Sequence, residues 1–131
     1  MEPRILIVDD EATLRANLAA FLEDEGMQVV TVSSGEEAIE TVDNDPGFQI
    51  CIMDMRLPGI NGQEAIFALH ARDPDLLFLI HTGTAGYSMP RELRSIGLRP
   101  EHVFKKPMSD MAPVAETIRR MIAWGGYSSN D

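Results

Sequence analysis

The sequence predicts an α/β fold in which a doubly wound parallel sheet of five strands carries helices on both faces. Short apolar segments alternate with segments of helical periodicity along the chain, which is typical of repeated βα units. Apolar segments such as residues 5–8 are continuously apolar, as in parallel strands that are covered on both faces. Turn residues such as those at 44–47 and 73–75 separate the units. We therefore expect five short strands and five helices in one domain.

Helix-capping signals define the units in the first half of the chain. Ser34 and Glu37 have the spacing of a capping box and predict a helix that continues to Val42. Gly26 is expected to end the preceding helix, which has apolar residues at helical spacing. The predicted elements of this half are strands over residues 5–8, 27–32 and 48–53 and helices over residues 12–25 and 34–42.

The second half continues the same alternation. Asn61, with Glu64 three residues later, predicts a helix that runs to about residue 71. Pro90 fits the first turn of a short helix that Gly97 ends. The remaining predicted elements are strands over residues 76–81 and 102–105 and a final helix capped by Ser109 or Asp110.

Composition limits the classes of function. The length of 131 residues fits one domain, which we assign to residues 1–124, with residues 125–131 as a flexible C-terminal tail or truncated linker. The net charge of −10 disfavours direct binding of nucleic acid or of an anionic membrane surface. Cys51 is the only cysteine, so an internal disulfide and a cysteine metal cluster are excluded. Without a signal-peptide pattern or an apolar run of about 18 residues, the chain is expected to be cytoplasmic.

Polar side chains are concentrated where the predicted strands end. Asp9 and Asp10 follow the first strand, Asp54 the third, Thr82 the fourth and Lys106 the fifth. The carboxyl ends of parallel strands meet at one edge of a sheet, so these groups are expected to converge. Clustered carboxylates repel one another, and carboxylate and carbonyl oxygens with water suit Mg²⁺. Asp54 is then predicted to be an aspartyl-phosphate nucleophile, with Thr82 and Lys106 meeting the phosphoryl oxygens.

Four motifs connect these residues with a known family. In chain order they are Val8-Asp9-Asp10-Glu11, Asp54-Met55-Arg56-Leu57-Pro58-Gly59-Ile60-Asn61-Gly62, His81-Thr82-Gly83 and Lys106-Pro107. With these motifs, and over essentially its whole length, the chain resembles the CheY-like receiver domains of response regulators in two-component signalling and phosphorelays. The resemblance implies a flavodoxin-like sheet with the strand order 2-1-3-4-5.

The resemblance also implies a role for each motif. The family's Mg²⁺ ligands correspond to Asp9, Asp10, Asp54 and the backbone carbonyl of Arg56. Asp54 is implied to accept a phosphoryl group in a Mg²⁺-dependent reaction. Thr82 and Lys106 are implied to sense it, and the Lys106–Pro107 peptide bond is usually cis in the family.

Partners are implied in the same way. The phosphodonor would be a histidine kinase or a phosphotransfer protein, and an unidentified downstream protein would read the response. The surface made by the fourth helix, fifth strand and fifth helix is implied to carry that response or to form a homodimer. Such a domain is a signalling phosphoacceptor with at most slow autodephosphorylation, and is not an enzyme.

The sequence departs from the family pattern near its fifth strand. The position three before the lysine, usually aromatic, is Val103, and the neighbouring Phe104 is expected to face the opposite side of the strand. The segment before this strand is also slightly longer than usual. Arg56 and Thr84 fill positions that tune phosphoryl lifetime in the family, and a long arginine there is expected to screen the phosphoryl group from water.

Two alternatives remain open from the sequence. A phosphatase of the haloacid-dehalogenase type would share the aspartate, threonine, lysine and Mg²⁺, but it needs a second aspartate where Arg56 stands. A receiver that acts only as a protein-binding scaffold is the other alternative. Ordinary surface or strand-edge roles are expected for His70, His81 and His102. Cys51 is expected to be an inert core residue, and Trp124 to be part of the core or a partner contact.

Overall fold

The structure is a computed structural model that describes residues 2–127. Its strands and helices alternate along the chain as predicted. In order they are β1 (Arg4–Val8), α1 (Ala12–Asp24), β2 (Gln28–Val32), α2 (Gly35–Asn44), β3 (Ile50–Met53), α3 (Gly62–Arg72), β4 (Leu77–Thr82), α4 (Arg91–Ser95), β5 (Val103–Lys105) and α5 (Ala112–Trp124). A short 3₁₀ helix, Pro100–His102, precedes β5.

The five strands form one parallel sheet in the order β2-β1-β3-β4-β5, which confirms the predicted fold class and strand order. The register places Val8 beside Met53, Met53 beside Ile80, and Ile80 beside Val103. Because the strands are parallel, the residues that follow these four positions lie along one edge of the sheet. The predicted phosphorylation residues are all located there.

The central strands form the core. Residues 5–8 of β1 and 50–53 of β3 are almost completely buried, as continuous apolar runs predict for strands covered on both faces. Phe78 in β4 is also fully buried. At the edge of the sheet, every residue of β2 is exposed or half-buried. The site edge is thus built on a rigid, close-packed centre.

The predicted helix starts at α2 and α3 are confirmed. The Ser34 hydroxyl accepts the Glu37 N–H at 3.1 Å. Asn61 and Glu64 form a reciprocal capping box, with both bonds at 2.9 Å. These bonds satisfy N–H groups that a helix start otherwise leaves unpaired.

The helices of the second half differ slightly from expectation. Helix α5 begins at Ala112 after the cap residue Met111, rather than directly after Ser109 or Asp110. Asp110 still contributes, because its carboxylate accepts the Ala112 N–H at 3.0 Å. Helix α4 is only five residues long, lies between Pro90 and Ile96, and is followed by Gly97 at φ 113°.

The structure differs from the expected tail at residues 125–127. Tyr127 is buried, and its hydroxyl accepts the backbone N–H of Phe78 at 3.0 Å. Strand β5 pairs only with residues 80–82 of β4. The Phe78 N–H is therefore not bonded to β5 and can donate to Tyr127. The His102 ring also contacts Tyr127, with Nε2 3.2 Å from its carbonyl oxygen. The packed chain therefore continues at least to Tyr127, and the rest of the predicted tail, residues 128–131, lies outside the described residues.

Within residues 2–127, no helix is long and apolar enough to cross a membrane.

Candidate functional site

Two buried aspartates lie side by side at the carboxyl edge of the sheet. The Asp54 N–H donates to the Val8 carbonyl at 2.9 Å, which fixes the residue after β3 next to the end of β1. The Asp9 N–H donates to the Val32 carbonyl at 3.2 Å. Asp9 and Asp54 are 2% and 4% exposed, respectively. Buried carboxylates of this kind need compensating charge or hydrogen bonds.

Lys106 supplies a positive charge at this point. Its Nζ lies 2.9 Å from Asp9 Oδ2, 3.0 Å from Glu11 Oε1 and 3.2 Å from Asp54 Oδ2. The Lys106 side chain is 7% exposed. The residue follows β5 directly, and its backbone N–H donates to the Thr82 carbonyl at 2.9 Å. One ammonium thus bridges three carboxylates that come from two different strand ends.

The third carboxylate was not among the predicted metal ligands. Asp9, Glu11 and Asp54 each place an oxygen within 4.8 Å of the others, close enough to share one metal ion. Asp10 is exposed and lies outside this group. Asp10 lies in a bend between Asp9 and Glu11, and the Glu11 N–H donates to Asp9 Oδ1 at 2.9 Å. The sequence signal for Glu11 is its place in the same motif as Asp9, two residues later.

The acidic cluster, defined as Asp9, Glu11 and Asp54, fits a hard divalent cation. Carboxylate oxygens are the ligands that Mg²⁺ and Ca²⁺ prefer in proteins. Three carboxylates against the single ammonium of Lys106 leave an excess of negative charge, which a cation would neutralise. The contribution of Asp10 and of the Arg56 carbonyl to such a site stays a prediction.

The charge states of Asp54 and Lys106 follow from their surroundings. Burial raises the pKa of Asp54, and the nearby Asp9 adds to this, whereas the Arg56 N–H and the Lys106 ammonium oppose it. For Lys106, burial alone would lower the pKa. Its hydrogen bonds to Asp9 and Glu11 and the charge of Asp54 outweigh burial and raise the pKa of Lys106, which is therefore a cation at neutral pH.

Arg56 is hydrogen-bonded to Asp54, whereas Thr82 is hydrogen-bonded within its own loop. The Arg56 backbone N–H donates to Asp54 Oδ1 at 3.1 Å and so holds the carboxylate toward the β3–α3 loop. Thr82 is fully buried, and its hydroxyl accepts the Thr84 N–H at 3.1 Å instead of bonding to the acidic cluster. The Lys106–Pro107 bond is cis, as the resemblance implied.

The β3–α3 loop is packed tightly against the start of α3. A Cβ added to Gly62 would collide with the Asp54 carbonyl oxygen and lie 2.6 Å from the Met55 Cα. Gly62 therefore allows the first turn of α3 to lie directly on the backbone that carries Asp54. Its place in the Asp54 motif is explained by this close approach.

The aromatic residue near Val103 comes from another element. Val103 and Phe104 are both half-buried. Tyr87, in the loop between β4 and α4, lines a cleft of about 260 Å³ together with Val103, Arg94 and neighbouring residues. The Tyr87 hydroxyl is buried, and it has no hydrogen-bond partner within the described part of the chain. Sequence reasoning missed this residue because its neighbours are distant along the chain.

The comparisons with known proteins agree with this geometry. The sequence model of the family described as "Response regulator receiver domain" matches residues 5–118. The chain is 35% identical over 126 residues to the transcriptional activator protein ExaE of Pseudomonas putida, covering 94% of this chain and 56% of that protein. It is 26% identical over 118 residues to protein-glutamate methylesterase/protein-glutamine glutaminase 2 of Caulobacter vibrioides, covering 89% of this chain and 34% of that protein.

A solved structure is similar over its whole length. The response regulator protein TrrA of Thermotoga maritima, crystallised in complex with Mg²⁺-BeF, has a TM-score of 0.75 and 25% identity. The match covers 91% of this chain and 98% of that one. In contrast, the chain spans only about half, or less, of the two curated relatives, at 56% and 34% of their lengths.

Proposed function

Because the chain belongs to the response regulator receiver domain family, we propose that Asp54 is its phosphoacceptor. The main observation in support is the position of Asp54. Its carboxylate is almost completely buried at a strand end, and Asp54 Oδ2 lies 3.2 Å from Lys106 Nζ. Burial raises its pKa, while the Arg56 N–H and the Lys106 ammonium stabilise its charged form. These properties suit a carboxylate nucleophile.

The proposed reaction is the transfer of one phosphoryl group from a phosphohistidine to Asp54. A carboxylate oxygen of Asp54 attacks the phosphorus, the bond between phosphorus and the imidazole nitrogen breaks, and that nitrogen keeps the electron pair. Lys106 neutralises charge on the transferred group. The Thr82 hydroxyl accepts the Thr84 N–H and keeps its own O–H as a donor, and donation of this O–H to a phosphoryl oxygen is the proposed first step of the response.

We assign a bound Mg²⁺ to the same edge of the sheet. Asp9, Glu11 and Asp54 have the donor chemistry for it, with Asp10 and the Arg56 carbonyl as the further proposed ligands. When bound, the ion supplies positive charge that offsets the phosphoryl oxygens. Lys106 then has less carboxylate charge to neutralise and is free to move toward the phosphoryl group.

The partners follow from the family. A histidine kinase or a phosphotransfer protein is the proposed phosphodonor, and the α4–β5–α5 surface is the proposed region for an unidentified downstream protein or a homodimer. We assign the chain to the cytoplasm, without direct contact to nucleic acid, in line with its net charge of −10. The domain itself is proposed to be a phosphoacceptor with slow autodephosphorylation, although one longer relative is named as an enzyme.

The test is phosphorylation with a small donor. Wild-type protein, incubated with Mg²⁺ and acetyl phosphate, is expected to gain the mass of one phosphoryl group, and Asp54→Asn is expected to gain none. Asp75→Asn is the matched control, because Asp75 is an exposed carboxylate in a loop away from the site. Equal mass gain in wild type and Asp54→Asn, or no gain in either, would overturn the proposal.

A further inference from the structure

Glu36, in the first turn of α2, is bonded to the loop that follows Asp54. Its Oε2 accepts the backbone N–H of Ile60 at 3.0 Å. Ile60 belongs to the part of the β3–α3 loop between Asp54 and Gly62, residues 55–61. The two bonded residues are 24 positions apart in the sequence, so their bond is a tertiary contact between α2 and this loop.

Two glycines allow α2 and the loop to approach each other closely. Gly59 has φ 75°, and a Cβ added to it would collide with the Glu36 carboxylate. A Cβ added to Gly35 would lie 2.7 Å from Cγ1 of Ile60, well inside the ordinary separation of carbon atoms. A side chain at either position would therefore push the loop away from α2. The pairs Gly35-Glu36 and Gly59-Ile60 thus form one complementary contact.

Within residues 2–127, the bond to Glu36 is the only hydrogen bond that connects residues 55–61 with an element other than α3 or the end of β3. The other hydrogen bonds at this loop connect residues that are close in the sequence, and their donors include Arg56, Asn61 and Gly62. Such local bonds define the shape of the loop. The bond to Glu36 defines where the loop lies relative to the rest of the domain.

The loop carries two groups that act on the candidate site. The Arg56 N–H donates to Asp54 Oδ1 at 3.1 Å, and the Arg56 carbonyl is one of the proposed Mg²⁺ ligands. Both groups belong to the backbone, so their positions follow the path of the loop and not a side-chain rotamer. Mg²⁺ requires nearly ideal octahedral geometry, and a misplacement of about 1 Å is enough to impair a reaction. The path of the loop is therefore important for the site.

We propose that Glu36 is a positioning residue for the reaction of Asp54, which holds the β3–α3 loop, and with it the Arg56 backbone, in the geometry that Mg²⁺ binding requires. This rests on the proposed function of Asp54. A carboxylate suits the role, because an N–H group bonds more strongly to an ionised acceptor than to a neutral one. Glu36 is outside the acidic cluster, so it acts through Ile60 and not as a metal ligand.

Mg²⁺ titration of the full chain measures the effect. Glu36→Ala removes the acceptor and is expected to weaken the affinity for Mg²⁺ by about three- to tenfold, the equivalent of one hydrogen bond. Glu36→Gln keeps an acceptor oxygen at the same reach and should retain most of the wild-type affinity. Glu40→Ala is the matched control, because Glu40 is exposed on the same helix and its carboxylate makes no hydrogen bond within the described part of the chain.

Two further measurements separate positioning from a general structural role. Hydrogen exchange of the Ile60 amide should be faster in Glu36→Ala than in wild type, Glu36→Gln or Glu40→Ala. Beryllofluoride, a stable analogue of the phosphoryl group, provides the second measurement. At saturating Mg²⁺, Glu36→Ala should bind it almost as tightly as wild type, because the free energy needed to place the loop is then already supplied by metal binding.

Each outcome decides between the two roles. Faster exchange of Ile60 with an unchanged Mg²⁺ affinity would make Glu36 a structural residue only, and the inference would be wrong. If Glu36→Gln binds Mg²⁺ as weakly as Glu36→Ala, charge and not the hydrogen bond is responsible, and the inference is again wrong. In both cases the function of Asp54 stands if acetyl phosphate still phosphorylates the wild type. Absence of Asp54-dependent Mg²⁺ binding in wild type overturns both proposals.

Discussion

The residue that holds the site together is Lys106, because its ammonium is the group that bridges Asp9, Glu11 and Asp54. Two of these carboxylates are almost completely buried. Removal of a cation from such an arrangement leaves charges that water cannot fully solvate, and this costs more than the net value of the ion pairs themselves. The site is therefore stable without a metal only as long as Lys106 is present.

Lys106→Met is expected to lower the free energy of unfolding by about 3 kcal/mol in the presence of a chelator. This value is at the lower end of the range for breaking a buried ion pair, because the Glu11 side chain remains partly solvated. Urea unfolding measures this change. Addition of Mg²⁺ should recover part of the loss, and should stabilise the variant more than wild type, since the metal replaces the missing charge. Lys105→Met is the matched control: Lys105 is the exposed neighbour and makes none of these contacts.

This account of the acidic cluster would be contradicted if Lys106→Met were as stable as wild type, or if Mg²⁺ stabilised the variant and wild type equally.

At the level of single residues, sequence reasoning worked where a residue is constrained by its place at a strand end. Asp9, Asp54 and Lys106 were predicted to converge, and the structure brings them within 3.2 Å. The place of Glu11 in the acidic cluster was not predicted, because it depends on how the chain turns after β1. The role of Asp10 as a metal ligand stays a prediction. The hydrogen bond between the Thr84 N–H and the Thr82 hydroxyl was not predicted either.

At the level of elements, the start of α3 packs against the backbone of Asp54 and helps to determine its position. Asn61 and Glu64 fix the first turn by their capping box, and Gly62 lets this turn approach the Asp54 backbone. In the sequence Asn61 and Gly62 belong to the same motif as Asp54, and Glu64 follows two residues later. Helix α3 and the loop that carries Asp54 therefore form one structural unit, and a change in the helix start is expected to alter the position of Asp54.

Gly62→Ala tests this unit. Alanine is ordinarily favoured over glycine in a helix by about 1 kcal/mol, but here its Cβ would collide with the backbone of Asp54 and Met55. We expect a net loss of about 1–3 kcal/mol, as for overpacking elsewhere, and a weaker affinity for beryllofluoride. Gly83→Ala is the control, because a Cβ there meets only ordinary contacts at 3.8 Å. Higher stability in Gly62→Ala than in wild type would show that the loop can move away without cost.

Elements with strong local signals were predicted well, and those that depend on tertiary contacts were not. The caps at Ser34 and Asn61 are local, and both helices begin where these caps predict. Tyr127 was assigned to a tail because its partners, the N–H of Phe78 and the ring of His102, are remote in the sequence. No local sequence pattern predicts such a contact.

At the level of the whole molecule, the fold follows from repetition and burial. Continuous apolar strands require helices on both faces, and the helical crossovers between strands make the sheet parallel, with the residues of the candidate site at one edge. The same compactness places two histidines in the interior: His81 under the site and His102 beside β5. Both are held away from water, so the stability of the whole domain depends on their protonation.

The pH dependence of unfolding is the corresponding prediction. Burial lowers the pKa of His81 and of His102 in the folded protein. The unfolded chain, with an ordinary histidine pKa of about 6.5, then binds more protons than the folded protein below that pH. Stability is fully present above about pH 6.5 and is lost as the pH falls through it, by at most about 1.4 kcal/mol per histidine and pH unit.

Urea unfolding at pH 7.5 and at pH 5.5 measures this loss in wild type, His81→Gln and His102→Gln. Each substitution removes one group that must be kept neutral in the folded protein, so each variant should lose less stability than wild type between the two pH values. The raised pKa of Asp54 acts in the opposite direction as the solution becomes more acidic. Measuring the unfolding of Asp54→Asn at both pH values shows how much of the wild-type pH dependence comes from Asp54. If both histidine variants lose as much stability as wild type, the acid sensitivity of the fold arises elsewhere.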